Sequence, residues 1–155
     1  MHKQVEQFNK EILKIEPREV GLMGEQEFRL SMQQLREEIS EIEDAYAEGD
    51  LVGVLDGLID LDYFQKGVVY KHGISAEVYK LLFGQVHHCN MTKKKGVKET
   101  RQGFGDSADA IKPTGWVAPE TKIRDTLRAI RYESIEDTAP RHTISTPDGS
   151  GNGTD

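Results

Sequence analysis

The sequence predicts an all-α protein, an antiparallel four-helix-type bundle with a loop-rich C-terminal extension, assembled as a dimer or a dimer of dimers. Two observations predict it. From Glu25 to Glu48 the apolar residues Phe28, Met32, Leu35, Ile39, Ile42 and Tyr46 step by three or four, which draws one long helix with one apolar stripe. After a single Gly49-Asp50 turn, Leu51, Val54, Leu55, Leu58 and Leu61 repeat the pattern, and so short a connection makes the two helices antiparallel neighbours.

Each further element has its own local cause. Val5, Phe8 and Ile12 recur at helical spacing and predict a short amphipathic helix that Pro17 ends. Gly49 closes the long helix, and Asp50 is placed to cap the next one, which runs from about Leu51 to Tyr70. Asp62 projects into the apolar arc of that helix, so it is expected to find a basic or amide partner or to lie at a subunit contact. Ser75, followed by Glu77 and Val78, opens a helix to Asn90 with Val78, Leu81, Leu82 and Val86 inward. Beyond Thr92 the Lys- and Gly-rich residues 93–120 read as a loop extension holding a short hairpin. Ile123, Leu127 and Ile130 mark a last short helix over about 121–131. A single domain therefore spans 1–133, its helical part about 1–92, and the polar residues 134–155 read as a disordered tail.

Composition narrows the function. Twenty basic against 27 acidic residues give a net charge of −7, which argues against non-specific binding to nucleic acid or anionic membrane. Cys89 is the only cysteine, so no intrachain disulfide forms and the chain suits a reducing cytoplasm. No apolar run approaches the ~20 residues that a membrane span requires. Adjacent His87, His88 and Cys89 do not share a helix face, and Cys89 reads as a small packed residue.

The chemistry lies in the acids. Glu38 and Glu41 share one face of the long helix, and Asp56 and Asp60 share one face of the next. Both pairs border the apolar stripe rather than oppose it, so folding brings four carboxylates together. Like charges so gathered oppose folding unless a cation sits among them, and hard carboxylate oxygens suit Mg²⁺.

The acidic pair, the Asn90-Met91-Thr92-Lys93 segment and the Lys112-Pro113-Thr114-Gly115-Trp116 segment, in this order, resemble the MazG-like all-α nucleoside triphosphate pyrophosphohydrolases, in their phosphoribosyl-ATP pyrophosphohydrolase-like branch of phages and bacteria. The resemblance runs from about Val5 to Glu120. It implies an enzyme that uses two or three Mg²⁺ or Mn²⁺ ions to split a nucleoside triphosphate, commonly a deoxynucleotide, into monophosphate and pyrophosphate. Glu38 and Glu41 match its metal ligands and Asp60 its closing aspartate. The usual second motif is ExxD, whereas here Gly57 stands three before Asp60; Asp56, four before, is the substitute, and the fourth ligand stays open between these readings. Glu37 matches the acid that holds or deprotonates the attacking water, against its plain reading as a solvated surface residue. Asn90 and Lys93 match substrate contacts, although Asn90 alone also suits a helix C-cap. Lys112 and Trp116 would close over phosphate and base, unless Trp116 is a core plug. The resemblance further implies a homodimer or homotetramer with sites near subunit contacts, in the cytoplasm, that of a host cell if the protein is phage-encoded. Two rival functions remain: phosphoribosyl-ATP hydrolysis, which shares the acidic helices but leaves the two later segments unexplained, and a non-catalytic helical module whose acids bind a cation or a partner.

Overall fold

The computed structural model describes residues 2–98 and 109–138, which form five helices and one two-stranded ribbon. Helix α1 is His2–Glu11, α2 Glu25–Glu48, α3 Leu51–Lys71, α4 Ala76–Met91 and α5 Glu120–Thr138. Strands β1, Lys94–Lys95, and β2, Ala110–Ile111, pair antiparallel with Lys94 opposite Ile111, the hairpin read from the sequence. The predicted loop between them, residues 99–108, and the predicted tail beyond residue 138 lie outside the described residues. Helix α5 continues to Thr138, well past the 131 expected. The expectation followed its apolar stripe, which ends at Ile130, and a polar stretch of helix carries no stripe to read.

The caps are where the local chemistry places them. Gly49 ends α2 in the left-handed region at φ 73°, and the Asp50 carboxylate accepts from Val52 N at 2.9 Å to begin α3. Ser75 Oγ accepts from Val78 N at 3.3 Å at the start of α4. Helices α2 and α3 make the main packing of the fold, an antiparallel pair on which α1 rests through α3. Asp62 finds the basic partner it needs one turn away in Lys66, whose side chain is nearly buried.

Helix α1 is fastened at both ends. The Phe8 ring meets Tyr63 of α3 edge-on, with centroids 5.5 Å apart, and the buried Val5 fills the space between the helices. Against α4, Glu6 accepts from Ala76 N at 2.6 Å, Lys3 pairs with Glu77 at 2.8 Å, and the His2 ring stacks on Tyr79 at 4.5 Å. Both ring nitrogens of His2 are buried without a hydrogen-bond partner among the described residues. Burial, opposed by the nearby Glu6 carboxylate, therefore holds the imidazole below its usual value of 6.5. A base with a depressed folded pKa favours folding only while neutral, so its contribution is lost as pH falls from 6.5 through the lowered value. The melting temperature of the wild type should consequently drop more between pH 7.5 and pH 5 than that of His2→Phe, which keeps the stack and cannot titrate. Equal drops in the two proteins would disprove this.

One face is left without cover in the isolated chain. On the first half of α3, Leu51, Val52, Leu55 and Ile59 are 69%, 78%, 51% and 64% exposed, so part of the wide apolar face read from the spacing, Leu51 and Leu55 with it, is left open among the described residues, whereas Val54 and Leu61 are half-buried. Leu81 of α4, expected inward, is likewise 53% exposed. Helix α1 covers the second half of α3 and stops there, which is why the first half stays open.

Candidate active site

The carboxylates come together where α2 crosses α3. Gly53 stands against Ala45 and Gly57 against Ile42, so this antiparallel register brings Asp60, one turn further along α3, opposite Glu38. The glycine surfaces let the two backbones approach closely, which is what holds acids of different helices at short range. Glu38 is half-buried at this crossing, while Glu41, Asp56 and Asp60 are exposed beside it.

Electrostatics agree with the grouping. The Glu38 carboxyl is raised above its ordinary 4.5, first by desolvation and then by the negative charges of Glu41, Asp60, Glu37 and Asp56. The charges acting on it are thus those of the other acids singled out in the sequence. Glu37 itself faces outward and accepts from Gln33 Nε2 at 2.8 Å. It follows Arg36 and precedes Glu38 on α2 with its carboxylate on the solvent side.

Among the described residues, no three His, Cys, Asp or Glu groups stand close enough to hold a metal ion as they are arranged. The chemistry of the donor set nevertheless fits a hard divalent cation: every donor is a carboxylate oxygen, and Glu38 carries unrelieved repulsion that such an ion would remove.

The basic segment forms a second, separate cluster. Trp116 donates from Nε1 to the Cys89 carbonyl at 2.9 Å, which pins the loop before α5 to the end of α4. The ammoniums of Lys93 and Lys112 lie 5.4 Å and 4.6 Å from the centre of its ring. A cleft of about 270 Å³ lies beside it, lined by His88, Thr92, Gly115, Trp116 and Lys122 among others. Trp116 is therefore half-buried against α4 with two cations over its ring, and neither a core plug nor a free stacking platform. Asn90 is exposed, and its carbonyl accepts from Lys93 N at 3.0 Å.

Among the described residues the two clusters lie on different parts of the fold. Helix α4 packs on α5 and α1 rather than on the α2–α3 crossing, and the charges that act on Glu38 are all acidic. The sequence alone leaves open whether Lys93 and Lys112 serve the acids of their own chain or of a neighbour. The acids do not face the roomy apolar groove of about 940 Å³ enclosed by α3, α4, α5 and residues 20–22, since none of Glu38, Glu41, Asp56 or Asp60 lines it.

Reading the sequence missed the part played by Gly57 and Ile42. The signal was present, because Gly53 and Gly57 lie one turn apart on the strip beside Asp56 and Asp60, but only the packing shows that this strip meets α2.

An all-α protein with acids of two antiparallel helices gathered at their crossing is of the nucleotide pyrophosphohydrolase kind, a hydrolase acting on acid anhydrides. Residues 5–87, just over half of the chain, match the phosphoribosyl-ATP pyrophosphohydrolase family, and the chain belongs to it, within the MazG-like all-α pyrophosphohydrolase superfamily. No curated protein matches the chain. The family match takes in all the acids and stops before Asn90, Lys93, Lys112 and Trp116. No described helix is long and apolar enough to cross a membrane.

Proposed function

We propose that the protein hydrolyses a nucleoside triphosphate, with deoxynucleotides as the leading class, to the monophosphate and pyrophosphate. The observation that carries this reading is the family match over the helices that bear Glu38, Glu41, Asp56 and Asp60, with the charges of the last three acting on Glu38 at the α2–α3 crossing. These four residues would hold two or three Mg²⁺ or Mn²⁺ ions. Ions so held supply charge stabilisation on the phosphoryl oxygens and make a bound water more acidic. Glu37, outside the ligand set and next to Glu38, is the residue to orient the attacking water and accept its proton.

Lys93 and Lys112 suit phosphate contact as point charges, and their shared anchor on Trp116 keeps both ammoniums near one ring. Asn90, at the end of the same helix, is placed to meet base or sugar. Because these groups stand apart from the acids of their own chain, the complete site is assembled from two copies, the lysine cluster of one meeting the carboxylates of the other. The uncovered apolar face of α3, running beside Asp56 and Asp60, is the surface a second copy would cover. The assembly would be a homodimer or homotetramer, working in the cytoplasm.

The test is a nucleotide panel with Mg²⁺ and with Mn²⁺, read as pyrophosphate released. At least one deoxynucleotide should be cleaved in a metal-dependent way, and Glu41→Gln should lower that rate about a hundredfold or more. No release across the whole panel would end the reading. The family match supports phosphoribosyl-ATP as a second substrate class, and a higher kcat/KM on it than on every deoxynucleotide would put it first.

A further inference from the structure

At the centre of the acidic crossing is a glycine with no room for a side chain. Gly57 is buried, and a Cβ built on it would lie 2.7 Å from Cγ1 of Ile42 and 3.7 Å from the Ile42 backbone nitrogen. The first distance is far shorter than carbon atoms tolerate. Ile42 cannot readily swing aside, because a β-branched side chain in a helix has essentially one χ1 setting. The gap between α2 and α3 at this level is therefore set by the single hydrogen of Gly57 against Ile42.

That contact sits among the four carboxylates. On α3, Asp56 immediately precedes Gly57 and Asp60 follows one turn later; on α2, Glu41 immediately precedes Ile42 and Glu38 lies one turn before it. Any widening at Gly57 must move both aspartates away from both glutamates. Gly53, one turn earlier, has a similar fit against Ala45 at 3.0 Å, but it lies beyond the acids, towards the Gly49-Asp50 turn. The family's pattern has a glutamate where this chain has Gly57, and here that position is buried in the helix interface against Ile42.

We infer that Gly57, acting through Ile42, is a positioning residue that fixes the separation of Glu38 and Glu41 from Asp56 and Asp60. The inference rests on the carboxylate site proposed above. It turns the departure at position 57 from a lost ligand into a spacer that the remaining four acids require.

The experiment compares Gly57→Ala, Gly84→Ala and the double variant Gly57→Ala/Ile42→Ala with the wild type, by Mn²⁺ calorimetry, thermal melting without metal, and steady-state kinetics. Gly84 lies within α4 with nothing within 4 Å of an added Cβ, so Gly84→Ala reports the ordinary effect of alanine in a helix. The expected result is that Gly57→Ala weakens Mn²⁺ binding and lowers kcat/KM by about 10- to 100-fold, as loss of support behind a metal ligand does. It should also fail to gain the thermal stability that Gly84→Ala gains. Trimming Ile42 in the double variant should restore Mn²⁺ binding to within a few-fold of wild type. If Gly57→Ala does not fold, a double variant that folds and binds Mn²⁺ still supports the spacer, and one that folds without binding overturns it. Wild-type Mn²⁺ affinity in Gly57→Ala also overturns it. A wild type that neither binds Mn²⁺ nor hydrolyses any nucleotide overturns the site reading itself, and the spacer with it.

Discussion

Glu38→Gln should lose nucleotide hydrolysis by about a hundredfold or more while leaving the metal-free protein harder to melt. The two effects have one cause. Glu38 is held at the crossing among Glu41, Asp60, Glu37 and Asp56, and its carboxyl is raised above 4.5 by burial and by those charges. An acid raised on folding favours the folded state only while protonated, so stability is lost as pH rises from 4.5 through the raised value. Neutral glutamine removes that loss, and relief of like-charge pairs is worth about 0.5 kcal/mol. In a domain of this size that is a rise of ~1–4 °C in melting temperature near neutral pH. Adding Mn²⁺ should reverse the order: at a hundred times its Kd a bound ion stabilises the wild type by about 2.7 kcal/mol, and the variant by much less. Melting curves with and without Mn²⁺, beside pyrophosphate release, check both halves. A Glu38→Gln variant that melts below wild type without metal, or that keeps its rate, would contradict this account.

The second large effect concerns assembly. Glu41→Gln and Lys93→Ala should each be nearly inactive alone and recover activity when unfolded together and refolded as a mixture. Among the described residues the lysine cluster at the end of α4 and the acids at the α2–α3 crossing lie on different parts of the fold, so on the proposed reading each site would draw on two chains. In a mixed dimer one site inherits both damaged residues and the other inherits neither. Random pairing of equal amounts gives half mixed dimers, each with one intact site, or about a quarter of wild-type activity. Refolding each variant separately and then combining them supplies the control for exchange. No recovery in a mixture shown to contain mixed oligomers would place both clusters in the service of one chain.

Much of this was legible in the residues. The caps at Gly49, Asp50 and Ser75, the span of α2, and the need of Asp62 for a partner follow from short-range chemistry, while the structure names that partner as Lys66. The grouping of Glu38, Glu41, Asp56 and Asp60 was legible for a related reason: helical spacing fixes the face, and a two-residue connection fixes the antiparallel partner. The reach of α5 was not, because helix without an apolar stripe leaves no period to count. The apolar face of α3 was legible, but not which of its residues would stay open, because periodicity tells which side is apolar and not what covers it.

The sequence alone thus determined the helices, the acid-bearing faces and the family, all properties of spacing along one chain. Only the tertiary structure decided where the lysine cluster lies among the described residues, and that Gly57, at the position where the family's pattern has a ligand, packs against Ile42. Both depend on the register at which α2 crosses α3 and on where α4 packs, distances between residues far apart in sequence that no local pattern encodes.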